Sequence, residues 1–159
     1  MLTNFFRRKL AEPGLQPVSR LPAAAAARIA RLTIGRHTLR LRLLGTRTAD
    51  VIWAALPLHS IAETWGDSIH FDTPLKTGRD RTARLNVAPG DVCFWAEDER
   101  VVLAWGPTPI SRPGEVRLMA PSNLWAETLD DPACLSDVTP GEKVRLTRAP
   151  PIRAAGAND

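Results

Sequence analysis

Residues 89–95 read Pro-Gly-Asp-Val-Cys-Phe-Trp, and this stretch joins a tight turn to an apolar strand. The proline presets its own φ and the glycine accepts a positive φ, which are the two requirements of a type II turn. The apolar residues that follow predict a strand over residues 91–96. A second Pro-Gly pair, at residues 140–141, precedes a similar predicted strand over residues 142–147. Such turns between short strands are typical of an all-β protein.

The hydrophobic period changes once along the chain, and the change separates a strand from a single helix. Leucines alternate with polar residues over residues 39–43, which is the period of a half-buried strand. Further on, apolar side chains recur at the spacing of one helix face, and these are Ala49, Ile52, Trp53 and Leu56. Thr46 or Thr48 can cap the first turn and Pro57 ends the last, so we predict a helix over residues 48–56.

The remaining apolar or alternating segments predict further short strands over residues 69–71, 101–105 and 122–129, and residues 144–146 are the apolar part of the strand after Pro140-Gly141. We expect about seven or eight strands in all. So many short strands in one chain favour a closed sheet, because closure leaves no exposed strand edge. We therefore predict a mainly β fold, a closed antiparallel β-barrel with the helix capping one open end.

Length and composition predict one globular domain between two irregular segments. The chain has 159 residues, of which 44% are hydrophobic and 24% charged, as in a globular rather than a disordered protein. Residues 1–27 contain several prolines and no sustained apolar period, so we predict a disordered basic leader there. The barrel domain is predicted over residues 28–149, and a flexible tail over residues 150–159.

Two observations bear on the cellular compartment. No apolar run approaches the roughly 18 residues that span a bilayer, and residues 1–27 lack the apolar centre of a signal peptide. Cys93 and Cys134 are the only cysteines, which are too few for a disulfide framework. We therefore expect a reduced chain in the cytoplasm, with no membrane contact.

The positive charge of the chain is concentrated at its N-terminus. The formal net charge is +4. Residues 1–36 carry seven basic side chains and one acidic side chain, Glu12, which leaves a net charge of −2 for the rest of the chain. Phosphate binding by a folded surface needs clustered Lys and Arg, and no such cluster stands out in the sequence of the body. We therefore expect no nucleic-acid partner.

Three stretches rich in tryptophan, glycine and proline carry a family resemblance. Residues 65–67 read Trp-Gly-Asp, residues 89–95 form the turn and strand described above, and residues 105–111 read Trp-Gly-Pro-Thr-Pro-Ile-Ser. Over roughly residues 32–147 the chain resembles the cyclophilin-like family of small, mostly uncharacterised prokaryotic proteins. The resemblance implies the barrel of the prolyl isomerases and no established activity. The chain departs from the family at Ser68, where Glu is common, and at His70, where Tyr is common. Any chemical role of that Glu is therefore in doubt here.

The sequence contains no catalytic motif that we can identify. The Phe-His-Arg strand and the Gln-Gly-Gly-Asp loop of true cyclophilins are absent. His37, His59 and His70 have no Cys or carboxylate at metal-ligand spacing, and there is no glycine-rich phosphate loop. Ser68 and His70 lie two residues apart on one strand face, where parallel side chains do not favour a Ser-His pair. We assign no catalytic residue, no cofactor and no metal.

Two loops offer the best place for a ligand. Trp65 and Trp105 each precede a glycine, and an indole beside glycine or proline forms a flat wall with one N–H donor. The same residues suit a plug at the end of the barrel equally well. The candidate ligand-binding residues are Trp65, Asp67, Ser68, His70, Trp105, Thr108 and Ser111.

The function predicted from these observations is a non-catalytic binding module for a small molecule or a peptide. The alternative is an enzyme, either a divergent peptidyl-prolyl isomerase or a small-molecule hydrolase. The lining of the site separates the two: a buried arginine or paired carboxylates favour an enzyme, and an apolar groove favours binding. The sequence leaves the ligand and the oligomeric state open.

Overall fold

The computed structural model describes residues 27–151, so nearly all of the predicted leader and tail lies outside the described residues. Ten strands lie within this range, with one α-helix and one 3₁₀ helix. The strands are β1 (Ile29–Ile34), β2 (His37–Leu43), β3 (Leu58–Ile61), β4 (Glu63–Thr64), β5 (Ser68–Asp72), β6 (Arg84–Asn86), β7 (Asp91–Trp95), β8 (Arg100–Ala104), β9 (Arg117–Thr128) and β10 (Lys143–Ala149). The helix α1 spans Arg47–Ala55, and the 3₁₀ helix spans Pro132–Asp137. The predicted mainly β fold with one main helix is confirmed. None of the helices described here is long and apolar enough to cross a membrane.

The strands form one large antiparallel sheet. Their order is β3-β10-β1-β2-β9-β7-β8-β5-β4, and β6 pairs with β9 beside this path. The predicted closure into a barrel is not confirmed, because no ladder of hydrogen bonds joins the edge strands β3 and β4 within residues 27–151. The reason is that residues 58–64 serve both edges, pairing with β10 at their start and with β5 at their end. Only Ala62 separates the two edge strands in the chain.

The main core lies on the inner face of this sheet, beneath α1. The helix begins after Thr46, whose Oγ1 accepts a hydrogen bond of 3.1 Å from the N–H of Ala49. It ends at Ala55, so the predicted helix is confirmed with both ends shifted by one residue. Ala49 and Ile52 are fully buried and pack in the same cluster as Trp125 of β9. The helix therefore covers the core, as the apolar period of its sequence predicted.

A second, smaller apolar cluster lies on the outer face of the sheet. It joins Cys93 of β7 and Ala104 of β8 to Val116 and Leu118. The cluster forms because β9 begins at Arg117, earlier than the predicted residue 122, and its first half passes over β7 and β8. The sheet is thus covered by apolar side chains on both faces in this region.

The outer face of β2, β1 and β10 gathers basic side chains from distant parts of the sequence. Arg31 of β1 lies directly opposite Arg40 of β2, and Arg145 of β10 lies diagonally from Arg31. Arg42 lies two residues after Arg40 and Lys143 two residues before Arg145, at opposite ends of the same exposed face. We call these five residues the basic face. The sequence did not indicate this grouping, because strand pairing brings together bases that are far apart in the chain.

A buried hydrogen-bond network fastens the long loop of residues 73–83 to the rest of the fold. Asn123 of β9 is fully buried, and its Oδ1 accepts a bond of 2.9 Å from the N–H of Asp80. Its Nδ2 donates to the carbonyl of Gly78 at 2.9 Å and to Oγ1 of Thr48 at 3.1 Å. The hydroxyl of Thr48 in turn donates to the Asp80 carboxylate at 2.8 Å. Loop, helix start and strand are therefore held by a single side-chain amide.

We predict that Asn123→Leu lowers the free energy of unfolding by about 2 kcal/mol or more, since each buried polar group left without a partner costs about 1–3 kcal/mol. Asn86 is exposed on β6, and Asn86→Leu is the matched control, with an expected change within about 0.5 kcal/mol. Urea denaturation of both variants measures the difference. Equal, small effects would show that the network does not contribute as described.

Candidate functional site

A cavity opens on the outer face of β5, β8 and β7, where the first half of β9 passes over them. Its volume is about 330 Å³ when the part open to solvent is included. The residues that line it are Trp65, Ser68, His70, Trp95, Val102, Leu118, Met119, Ala120 and Ser122. The alternation of side chains along β5 separates the cavity from the main core. Ile69 and Phe71 enter the core, while His70 between them points to the outer face of the sheet.

Most of the cavity wall is apolar. Trp65 and Trp95 contribute indole rings, and Leu118 and Val102 belong to the second apolar cluster beneath. Met119 is 48% exposed, which is unusual for a large apolar side chain. A wall of this composition favours an apolar guest, because each Å² of apolar surface withdrawn from water contributes about 25 cal/mol.

The position of Trp65 is fixed by a tight turn and by a close contact with the next loop. The N–H of Trp65 donates to the carbonyl of Ser68 at 3.1 Å, and the Ser68 hydroxyl donates back to the carbonyl of Trp65 at 2.6 Å. Gly66 follows with a φ of +60°, and a Cβ there would lie 2.8 Å from the carbonyl oxygen of Pro107. Only glycine therefore allows the two loops to approach this closely.

His70 lines the cavity, and one of its two ring nitrogens contacts Arg100. Its Nδ1 lies 2.8 Å from Nη1 of Arg100. Because a guanidinium only donates hydrogen bonds, Nδ1 must accept, and the proton of the neutral ring is on Nε2. No hydrogen-bond partner of Nε2 is found among the described residues. The Ser122 hydroxyl, by contrast, donates to the carbonyl of Ala120 at 3.0 Å.

Arg100 is held by three carboxylates beside the cavity. Its Nη1 donates to Glu63 at 2.6 Å, and its side chain is only 19% exposed. Its Nε lies 2.8 Å from an oxygen of Asp98 and 3.0 Å from one of Asp72, although neither contact has hydrogen-bond alignment. The hydrogen bond from Arg100 holds the pKa of Glu63 below its usual value. The guanidinium therefore interacts with carboxylates of the protein itself.

The surroundings of His70 favour its neutral form. Burial lowers the pKa of His70, and the charge of Arg100 lowers it further. Glu63, Asp72 and Asp98 act in the opposite direction and do not reverse the shift. The ring is therefore uncharged at neutral pH, which agrees with the tautomer that the contact with Arg100 requires.

The structure brings three of the seven predicted ligand-binding residues to the cavity, namely Trp65, Ser68 and His70. The other four lie in the contact between the two loops. Trp105 packs against the main core, and its backbone N–H donates to the backbone carbonyl of Asp67 at 3.0 Å. The Thr108 hydroxyl donates to the carbonyl of Arg117 at 2.5 Å. The Ser111 hydroxyl accepts from the N–H groups of Thr108 and Arg117, at 2.9 and 3.0 Å. Backbone groups of Asp67 and Trp105 therefore join the two loops, and the hydroxyls of Thr108 and Ser111 fix the second loop to the start of β9. A ligand role for these four residues stays a prediction.

Sequence reasoning missed most of the wall. Trp95 was not among the predicted site residues, although its position in the alternation of β7 matches Cys93 rather than the inward Val92 and Phe94, and this was the available signal. The contribution of Met119 and its neighbours in β9 depends on long-range packing and has no local signature. Within residues 27–151 no group of three or more His, Cys, Asp and Glu side chains is arranged to hold a metal ion.

Sequence and fold together identify the family. Residues 28–147 match the cyclophilin-like family, and the chain belongs to it. A similar solved structure is that of the hypothetical protein AF2241 from Archaeoglobus fulgidus, determined in solution. The two chains are 26% identical. The match covers 80% of this chain and 100% of the other, with a TM-score of 0.67. No curated protein matches the sequence significantly. The family resemblance is thereby confirmed, and it supplies no substrate or reaction.

We predict that Arg100→Gln raises the pKa of His70, because one cause of its lowering is removed while the three carboxylates remain. An NMR pH titration of the His70 ring measures the change, and Arg145→Gln, on the distant strand β10, is the control. The folded protein binds this proton less tightly than the unfolded chain. The His70 contribution to stability is therefore present above about pH 6.5 and is lost as the pH falls through its folded pKa. An unchanged His70 titration in Arg100→Gln would contradict the assigned contact.

Proposed function

We propose that this chain is a non-catalytic binding module that takes a small apolar ligand, or an apolar side chain of a peptide, in the outer cavity. The observation that supports this most directly is the composition of the wall. Two indoles and several aliphatic side chains surround the space, and both serine hydroxyls already donate to backbone carbonyls. A guest that enters would lose contact with water without breaking a hydrogen bond of the wall.

The size of the cavity limits what it can hold. Its volume of about 330 Å³ includes the part open to solvent, so the enclosed part is much smaller. We therefore expect the cavity to hold one small apolar group, while the remainder of a larger ligand stays outside. The exposed thioether of Met119 is flexible and can adapt to guests of different shape.

The polar part of the proposed interaction comes from His70. Its Nε2–H can donate to a neutral acceptor such as a carbonyl oxygen, while the contact of Nδ1 with Arg100 keeps the ring in this tautomer. A single directional bond beside an apolar wall orients a ligand without contributing most of its affinity. Arg100 is thus a positioning residue in this proposal.

The reactive side chains of this region are bonded to other groups of the protein or buried, and this favours binding over catalysis. The Ser68 hydroxyl donates to the carbonyl of Trp65 and not to a base, so it is not an activated nucleophile. Burial raises the pKa of the Cys93 thiol, which keeps it protonated. Arg100 is taken up by carboxylates and is not free to contact a substrate amide.

The binding proposal is tested by a fragment screen with NMR detection. We expect hits among neutral aromatic and branched aliphatic fragments that carry a carbonyl group, with shifts in the indole signals of Trp65 and Trp95. Ala120→Leu fills the cavity and is expected to weaken these hits by at least about tenfold, on the order of 1.4 kcal/mol. Ala133→Leu, at an exposed position of the 3₁₀ helix, is the matched control and leaves them unchanged. Hits elsewhere that ignore Ala120→Leu would refute the proposed site.

We also predict no measurable acceleration of prolyl cis–trans isomerisation. An isomerase must lower a barrier of about 20 kcal/mol through contacts to the twisted amide, and Arg100 is not available for them. A protease-coupled peptide assay measures the rate, with a true cyclophilin as the positive control. A kcat/KM within about a hundredfold of the cyclophilin value would favour the alternative, a divergent isomerase.

A further inference from the structure

The basic face lies on a part of the sheet that the cavity does not use. Two of its members are already paired: Arg40 donates to Asp130 through Nη2 at 2.8 Å, and Arg42 is bonded to Glu127. The other three, which are Arg31, Lys143 and Arg145, form no salt bridge with any carboxylate within residues 27–151. All three are exposed.

The arrangement of these cations is unfavourable without a counter-ion. Arg31 and Arg40 are directly opposite on adjacent antiparallel strands, and like charges in this position repel. The carboxylate of Asp130 bonds to Arg40 and offsets part of this repulsion. Arg31 itself has no counter-ion among the described residues, so an external anion beside it would be stabilising.

The spacing and the neighbouring groups fit a chain of phosphates. Lys143 and Arg145 are two residues apart on β10, about 6–7 Å along the strand. Arg145 and Arg31 are diagonal neighbours, about 7–8 Å apart. These steps are comparable to the separation of successive phosphates along a nucleic-acid strand. Hydroxyl groups of Thr33 and Thr147 lie between the cations on the same face. Arg, Lys and Thr are the side chains that commonly bond phosphate oxygens in nucleic-acid complexes.

We propose that the basic face binds the phosphate backbone of nucleic acid without sequence specificity. The face contains no aromatic side chain for base stacking, so backbone contact is the only mode it offers. An anionic membrane is the weaker match, because stable anchoring takes an apolar or lipid group besides a basic patch. Ile61, opposite Lys143 at the sheet edge, is the one large exposed apolar side chain beside this face in the described chain.

The test uses the full chain and a fluorescein-labelled DNA duplex of random sequence, with fluorescence anisotropy measured over a range of salt. Three phosphate contacts predict a slope of log K against log salt of about −3, and therefore a loss of affinity of about 40-fold between 50 and 200 mM salt. The variant Arg31→Gln/Lys143→Gln/Arg145→Gln is expected to lose at least about tenfold in affinity at low salt and to flatten the slope by about 2–3.

A matched variant separates the face from net charge. Lys76→Gln/Arg81→Gln/Arg112→Gln removes the same charge from exposed positions outside the face, and we expect it to change the affinity by less than about twofold. Equal losses in both variants, or no loss in the face variant, overturn the proposal. The proposal is also overturned if the face variant loses binding to phosphatidylserine vesicles while its binding to the duplex is unchanged. Ala120→Leu is expected to bind the duplex normally, so failure at the cavity and failure at the face are distinguishable.

Discussion

Ala62 alone separates the two edge strands of the sheet, so the Cα atoms of Ile61 and Glu63 on either side of it cannot be more than about 7.6 Å apart. The intervening strands must therefore curl until both edges meet at one buried residue. Ala62 is fully buried, and its N–H and carbonyl bond to the backbone of Glu142 and Gly141 at 2.8 and 2.9 Å. The curl gives the sheet an inside and an outside. The core fills the inside, and both the cavity and the basic face are properties of the outside.

β9 connects these two sides. Its second half carries Trp125 and Ala126 in the main core, and its first half carries Leu118 in the outer cluster. The register of its pairing with β7 shifts between Val92 and Cys93, where β9 has one extra residue. Such a bulge bends a strand locally and increases its twist. The bend allows one strand to support the core at one end and to roof the cavity at the other.

The strands and the helix could be predicted because their signals are local. Alternating leucines in β2, the helical spacing of Ala49 and Ile52, and the Pro89-Gly90 turn each need only a few neighbouring residues. The turn at Trp65 likewise led to Ser68 and His70 of the site. Arg100 could not be predicted, since its partners Glu63, Asp72 and Asp98 come from separate segments. The roof of the cavity and the basic face depend on strand register, which no local pattern of this sequence specifies. The same limit explains why the prediction of a closed barrel is not confirmed, because hydrogen bonding between the edge strands depends on which strand lies at each edge of the sheet.

The tryptophans of the core and those of the cavity have different surroundings, so the intrinsic fluorescence of the protein can report on both. The indole of Trp125 is fully buried, and its Nε1 has no hydrogen-bond partner in the described part of the chain, so its emission belongs at short wavelengths. Trp53 lies beneath the guanidinium of Arg148, 4.6 Å from ring centroid to Cζ, at the surface of the helix. Trp65 and Trp95 face the cavity, and the wavelength of their emission depends on whether water or a guest surrounds them. The blue side of the spectrum therefore follows the packing of the core, and a change on the red side when a guest binds comes from Trp65 and Trp95 rather than from Trp53.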